Sequence, residues 1–506
     1  MSSNRNIAKN AAFLYIRMFL IMGVTLYTSR IILNALGVSD YGLYTIVAGI
    51  VAMFGFINGA MTSSTQRYLS FDIGKKDDEQ LKKTFSTSLI IHFIIGVLVL
   101  LVGETLGLWY INYKLVYPED RTFAVNVVFH FSLLTLFFNI IQVPYNSLIL
   151  ARERMNIYAV VSILEAALKL LIAFVILHYG DDKLILYGGL TFIVTFVIRM
   201  IYLIYCRLNF KESKYRFNFD KSYFKEIISF SGWNMFGSFS LVAKNQGVNI
   251  VLNIFFGTVI NAAYGLAMQV QGAVTQFITS FQSALNPQIV QSYASGNHDR
   301  STNLIFLGSK FSFLLIFLIA FPVITNLELL LELWLGDTVP VHTIQFIKIG
   351  LIAILVDSLS GPIMTGIQAT GKIKFYQIIV GSFNLITPIL VYIFFKNGFS
   401  PIIAFQVLLG FSIVSLILRL LFLKALYGIV LTTYFKEVIL SVSLIVSLLM
   451  GLFAIISRLI AVNSLWTLII CVALFEIFSI IVIFFVGLKR VQRISISKFI
   501  ERRIAR

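Results

Sequence analysis

Gly37-Val38-Ser39-Asp40-Tyr41-Gly42-Leu43 governs how the rest of the chain is read, because a version of it returns as Gly257 followed by Tyr264-Gly265-Leu266. The echo extends outward. Gln66 and Gly74 fall opposite Gln288 and Gly296, Trp109 opposite Trp334, Pro118 opposite Pro340, Pro144 opposite Pro362, and Ala151 and Tyr158 opposite Ala369 and Tyr376. The offset stays at about 220 residues, and self-similarity at a fixed period marks a repeated architecture. In membrane proteins a doubled bundle is a common transporter plan, with cargo held between the copies.

The chain belongs in a bilayer. Of its 506 residues 58% are hydrophobic and only 12% charged, far from the composition of a soluble globular domain. A span needs roughly 20 mainly apolar residues, and about 14 such segments can be counted. Six run near 11–36, 42–67, 85–109, 122–150, 157–178 and 184–206, six more near 230–256, 262–290, 303–327, 342–369, 375–396 and 401–424, and two extra near 436–457 and 465–487. The expected fold is all-α and integral to the membrane. It divides into a six-helix bundle at 1–210, a polar linker at 211–228, a second six-helix bundle at 229–425, two further helices at 426–487 and a basic tail at 488–506. An even number of spans between the copies makes them parallel, related by an axis along the membrane normal.

The net charge of +17 would suggest nucleic acid in a soluble protein, but here placement explains it. With the N-terminus in the cytoplasm, the outer loops hold only Lys114, Arg121, Lys183, Lys396 and Arg458, while the inner segments collect Arg67, Lys75, Lys76, Lys82, Lys83, Arg152, Arg154, the linker bases, Arg300, Lys372, Lys374, Arg419, Lys424 and the tail. Basic residues concentrate on the cytoplasmic side of membrane proteins, so both termini are expected there and no nucleic-acid partner is expected. The apolar N-terminal stretch exceeds signal-peptide length and reads as a retained first span. Cys206 and Cys471, far apart in apolar surroundings, read as packing residues. No loop is long enough for a soluble catalytic domain, Asp181-Asp182 reads as a solvated turn, and no nucleophile, phosphate-loop or metal-ligand spacing is found. No enzyme, cofactor or metal is expected.

Ionisable side chains inside a membrane require a partner, a cavity or a function. The embedded set leans positive, with Arg17, Arg30, Lys169, Arg199, Lys244, Lys310 and Lys348 against Glu104, Glu165, Asp357 and Glu476, which favours an anionic cargo. Glu165 and Lys169, four residues apart, can neutralise one another. Arg17 and Lys310 lie near the cytoplasmic ends, where snorkelling is expected. In the seventh span Lys244 precedes Asn245, Asn249 and Asn253 at intervals of four, and in the eighth Gln269, Gln276 and Ser283 form a second polar stripe. Such stripes avoid lipid and face helices or water; a hydrated cavity suited to sugar hydroxyls is expected. At the repeat offset His130 corresponds to Lys348 and Asn139 to Asp357. The candidate cavity set is therefore Arg30, Lys169, Arg199, Lys244, Asn245, Asn249, Asn253, Gln269, Gln276, Lys348 and Asp357. Pro144, Pro287, Pro362 and Pro388, with Gly55, Gly59, Gly361 and Gly366, interrupt spans where bending would serve a rocking motion.

The run Thr28-Ser29-Arg30-Ile31-Ile32-Leu33-Asn34-Ala35-Leu36-Gly37, with Asp40-Tyr41-Gly42-Leu43-Tyr44, Thr65-Gln66-Arg67-Tyr68, Gly74-Lys75 and Glu153-Arg154-Met155-Asn156, resembles the polysaccharide transporter branch of the multidrug, oligosaccharidyl-lipid and polysaccharide exporter superfamily. That branch includes flippases of O-antigen (lipopolysaccharide) and capsule repeat units. The resemblance implies a two-lobed carrier in the bacterial cytoplasmic (inner) membrane that moves undecaprenyl-diphosphate-linked oligosaccharide to the outer leaflet by alternating access, with cavity cations meeting the diphosphate. Arg30 alone among the candidates lies inside a matching motif. A multidrug or toxin exporter and a lipid II flippase are the alternatives within the superfamily. An integral-membrane polymerase or ligase would bring a large outer loop, which is missing here. The expected partners are the lipid-linked oligosaccharide, membrane lipids and a polysaccharide polymerase, with the carrier itself a monomer.

Overall fold

The computed structural model describes residues 2–52, 54–113, 118–178, 181–214, 220–335, 339–460, 464–488 and 493. Among these residues all regular structure is helical, as a bilayer requires of a chain that must satisfy its backbone groups internally. The helices are α1 (Ser2–Ala52), α2 (Gly55–Lys75), α3 (Asp78–Val102), α4 (Leu108–Tyr113), α5 (Thr122–Ala151), α6 (Met155–His178), α7 (Lys183–Asn209), α8 (Lys221–Ala294), α9 (His298–Thr325), α10 (Leu327–Leu335), α11 (Thr343–Ser358), α12 (Ser360–Ala369), α13 (Lys374–Lys396), α14 (Ile403–Tyr427), α15 (Leu431–Tyr434), α16 (Ser441–Leu459) and α17 (Leu465–Val482). Among the described residues, ten stretches are long and apolar enough to cross a membrane.

The two repeated glycines shape the fold. Gly257, the one non-helical residue inside α8, has φ 73 and ψ −168, and Gly37 breaks α1 at φ 76 and ψ 167. Side chains with a Cβ almost never occupy this region. Unbroken, the 74 residues of α8 would extend about 110 Å. Instead the Tyr264 hydroxyl donates to the Asn245 carbonyl at 2.9 Å, and the Asn261 amide donates to the Asn249 carbonyl at 3.1 Å and to its Oδ1 at 2.7 Å. Residues 245 and 264 would lie about 28 Å apart on a straight helix, so α8 is a helical hairpin folded at Gly257.

Other local features also recur. Lys76 and Gly296 both adopt positive φ, each followed by a capping side chain, Asp77 accepting from the Gln80 N–H and Asn297 from the Arg300 N–H. Glu153 and Gly371 form a second positive-φ pair. The sequence pairing of Gly74 with Gly296 is therefore displaced by two residues. Gly74 lies inside α2 and is selected by close packing, whereas the backbone equivalent of Gly296 is Lys76.

Two apolar clusters fill the interiors of the bundles. One joins Ile31, Phe85, Tyr145, Ile172 and Ile198, and the other Val248, Phe317, Phe346, Phe405 and Phe475. A third spans the seam, bringing Met61 and Tyr68 together with Phe230, Leu285 and Ile363. The last two long helices pack on the second bundle through Ile445, Leu449, Phe453, Cys471 and Phe475. Their anchor corrects one expectation. Lys310 does not snorkel to the surface: it is 8% exposed, and its ammonium donates to the Gly487 carbonyl at 2.6 Å, at the end of a π-helical turn, Ile483–Gly487. The π turn shifts carbonyls out of the regular ladder, which frees one to receive the charge.

Candidate functional site: a hydrated groove and two charged clusters

The helix ends bearing residues 67–83, 151–155, 220–226 and 288–300 form one basic end of the molecule, and contacts joining the repeats are gathered there. The Arg67 guanidinium donates from Nε to the Gln368 carbonyl at 3.0 Å and from Nη2 to the Ala369 carbonyl at 3.1 Å. In the reverse direction, the Gln291 amide donates to the Ala151 carbonyl at 2.7 Å, and Gln288 bonds the Glu153 carboxylate. Ala151 and Ala369 are the residues that the sequence repeat pairs, so each bundle latches onto the same point of the other. Ser64 and Ser231 bond at 2.7 Å, and the Tyr68 hydroxyl donates to Glu226 at 3.2 Å. Gly74 sits against the last turn of α8, where a Cβ would meet the Gln291 carbonyl oxygen at 2.5 Å. Furthest from that end stand Phe56 on Phe239, with ring centroids 5.9 Å apart, and Phe19 on Phe277, 5.7 Å apart. Eleven residues of helix separate Phe56 from Arg67, about 16 Å, so the plug spans roughly half of a 30 Å hydrocarbon layer.

Beyond the plug, the second limb of α8 presents an unusual surface. Its exposed positions are Gly265, Gln269, Gly272, Ala273, Gln276 and Thr279, and among the described residues 260–294 no large apolar side chain is exposed. By contrast, α17 exposes Trp466, Ile469, Ile470, Ile477 and Ile480. A lipid-facing helix looks like α17; a helix whose exposed side is only amides, hydroxyls and glycine faces water. The first repeat matches it, since the exposed positions of the inner part of α2 are Gly55 and Gly59, and a Cβ at either meets nothing within 4 Å. Gln269 and Gln276 thus both stand on the exposed polar face of this limb.

The charged candidates stand elsewhere, inside each bundle. On α6, Lys169 continues the buried stripe of Ser162, Ala166, Ala173 and Ile176, yet it is itself exposed. Its ammonium donates to Glu165 at 2.6 Å, as the spacing of four anticipates. Arg17 stacks over the Tyr158 ring at 4.7 Å, and Tyr202 lies within electrostatic reach of Tyr158, Glu165 and Arg17. Arg17 is therefore turned inward onto α6 and does not snorkel.

The second bundle has a counterpart of different origin. Lys244 follows the buried Ser240 and precedes the buried Val248 on one stripe of α8, which aims it into its own bundle. It lies within electrostatic reach of Asp357 and Arg419. Asp357 continues the buried stripe of Phe346, Gly350 and Ala353 on α11, yet its side chain is 44% exposed. The Ser412 hydroxyl donates to Asp357 Oδ2 at 3.0 Å, and Arg419 Nη1 is 3.9 Å from Oδ1. Each bundle thus holds one carboxylate paired with a cation, Glu165 with Lys169 and Asp357 with Arg419, and a second cation nearby, Arg17 over Tyr158 in the first and Lys244 within electrostatic reach of Asp357 in the second.

In the sequence Arg419 reads as an inner-side charge, although Ser412, Ser415 and Arg419 at intervals of three and four mark one polar helix face. Arg199 lies over Phe138 at 5.6 Å and Tyr145 at 5.9 Å, with Nη1 buried and without a hydrogen-bond partner. Asn245 and Asn249 give their carbonyls to the α8 hairpin, and Asn249 gives its side chain as well. Lys348 reaches Glu328 at 3.8 Å, and the paired His130 reaches Glu104 at 2.9 Å. These two pairs repeat one outer-end tie in both bundles, away from the two clusters. Arg30 and Asn253 fall on α1 and α8, and their side chains lie outside the described residues. Gly361 and Gly366, read as flex points, instead admit Gln282 and Ile305 at close range. Among the described residues no group of three metal-ligating side chains comes together.

Comparisons with known proteins agree on the architecture. The chain is similar to a MATE transporter solved in the straight conformation (14% identity, TM-score 0.72, covering 84% of this chain and 96% of that one) and to an outward-facing multidrug resistance MATE family transporter of the MOP superfamily (13%, 0.71, 83% and 96%). A third match is a MOP superfamily transporter from Pyrococcus furiosus whose binding pocket is described as reversed in polarity (13%, 0.64, 83% and 96%). A search of curated proteins found no match. A family model described as polysaccharide biosynthesis protein matches residues 7–293. With the repeated glycine breaks, the multi-pass bundles and that match, the chain belongs to the polysaccharide biosynthesis protein family and has the transporter fold of the MOP superfamily.

Proposed function

We propose that this chain is a carrier, with no catalytic step of its own, that moves an undecaprenyl-diphosphate-linked oligosaccharide across the bacterial cytoplasmic membrane by alternating access. The observation that carries the reading is the exposed polar face of α8, with Gln269, Gln276 and Thr279 on it, which we read as the lining of a groove between the repeats. Amides and hydroxyls offer both donors and acceptors, which is what sugar hydroxyls require. The excess of one cation in each bundle cluster suits the diphosphate, because charge-assisted hydrogen bonds to phosphate are strong. The prenyl chain would remain in lipid.

With the positive-inside bias, the basic end faces the cytoplasm, as do both termini. The latched arrangement is then the outward-facing member of the cycle. A multidrug exporter shares the fold but would place cationic drugs beside Lys244, Arg419, Arg17 and Lys169, which repel them. A lipid II flippase would use the same anion chemistry. Deletion in the native host separates these readings. Repeat units linked to the lipid diphosphate and retained on the cytoplasmic face support a repeat-unit carrier, accumulated lipid II supports the alternative, and unchanged glycan with raised drug sensitivity overturns both. Complementation with Gln269→Leu/Gln276→Leu is expected to leave protein level unchanged and to lower surface glycan.

A further inference from the structure

The cluster in the second bundle is built loosely for a structural ion pair. A carboxylate held by arginine for stability normally receives two parallel N–H bonds near 2.8 Å, but Arg419 stands 3.9 Å from Asp357. Its Nε is buried with no hydrogen-bond partner, although the side chain is only 13% exposed. Asp357 meanwhile has a second partner in the Ser412 hydroxyl and keeps a side chain that is 44% exposed. Arg419 is the cation that touches this carboxylate and Lys244 stands within electrostatic reach of both, so the empty cluster carries surplus positive charge.

We propose that Asp357 is a built-in competitor for the cargo's phosphate: in the empty carrier its carboxylate occupies the seat between Lys244 and Arg419 that a phosphate of the lipid diphosphate takes, and binding displaces it toward Ser412. This rests on the anionic-cargo reading of the site. Two uncompensated cations in a partly buried cavity would hold a diphosphate too tightly to release it. A resident carboxylate lowers that affinity and reoccupies the seat as the cargo leaves. Ser412 gives the displaced carboxylate a hydrogen bond during the exchange, and the unpartnered Arg419 Nε supplies a donor that phosphate, with its additional oxygens, can accept.

The test uses purified full-length protein in detergent and titrates inorganic pyrophosphate and a short-chain prenyl diphosphate by calorimetry, with folding checked by thermal unfolding. Asp357→Asn is expected to bind both probes about 10- to 100-fold more tightly than wild type, the range expected when a like charge about 5 Å away is removed in a partly screened site. Asp357→Glu should restore wild-type affinity. Lys244→Gln and Arg419→Gln should each weaken binding. If those two weaken binding while Asp357→Asn leaves it unchanged or weaker, the competitor role is wrong and the anion site stands. If neither cation variant alters binding, or no variant binds either probe, the anionic-cargo reading fails and the inference with it.

Discussion

Substituting Gly74 by alanine is a one-methyl wedge at the point where the repeats close. The Cβ it adds would lie 2.5 Å from the Gln291 carbonyl oxygen, 2.8 Å from the Gln291 Cα and 2.9 Å from the Ala294 Cβ. Two of these three are backbone atoms, so no rotamer change relieves the clash and the ends of α2 and α8 must separate. Overpacking of this kind costs about 1 to 3 kcal/mol, and it applies only while the basic end is closed. The intrinsic gain of alanine over glycine in a helix, about 1 kcal/mol, is present in both conformations and cancels. The ratio of closed to open molecules should therefore fall by about 5- to 150-fold. Thr279, exposed in the groove, provides the probe: with Thr279→Cys in place, a membrane-impermeant maleimide should label the parent slowly from the basic side and the Gly74→Ala variant much faster. Gly59→Ala is the matched control, on the same helix with nothing within 4 Å of the added carbon, and should behave as the parent. Equal labelling of Gly74→Ala and Gly59→Ala would refute the reasoning, because closure would then not depend on the contact of α2 with α8.

Gly257→Ala should lower the thermal midpoint, since φ 73 with ψ −168 costs a residue bearing a Cβ about 1 to 3 kcal/mol, whereas Gly410→Ala, in a helix with open space around it, should be neutral or slightly stabilising. The closed basic end should also respond to pH through Glu153. Burial raises its pKa above the usual carboxylate range, an effect that its Gln288 hydrogen bond and the Arg300 charge partly offset. An acid whose pKa is raised by closure binds its proton more tightly when closed, so closure is favoured at low pH and weakens as pH climbs from the ordinary carboxylate value through the raised one. Maleimide labelling at Thr279→Cys from the basic side should rise across that window, and Glu153→Gln should abolish the dependence.

The helical hairpins were legible because the repeat preserves their glycines, and backbone geometry leaves no substitute at Gly37 and Gly257. The amide stripe of α8 was legible for a related reason: polar residues at helical spacing in an apolar chain have few physical explanations. Depth in the membrane does not determine direction, however. Lys348 and Lys244 both lie within spans, yet one ties to Glu328 at the outer end and the other looks into a cluster with Asp357 and Arg419. Arg419 escaped notice because charge near a helix end resembles a topological signal, and Lys310 because its partner is a carbonyl freed by a π turn. The Gly74 alignment slipped because close packing and positive φ both select glycine.

Reconstitution of the purified carrier into liposomes loaded on one leaflet with a fluorescent prenyl-diphosphate-linked oligosaccharide tests the central claim. Protein-dependent appearance of the sugar on the other leaflet, lost with Lys244→Gln/Arg419→Gln and not seen for a prenyl-linked neutral sugar lacking the diphosphate, is the predicted result. Equal movement of both lipids, or movement unaffected by the double variant, would contradict the account.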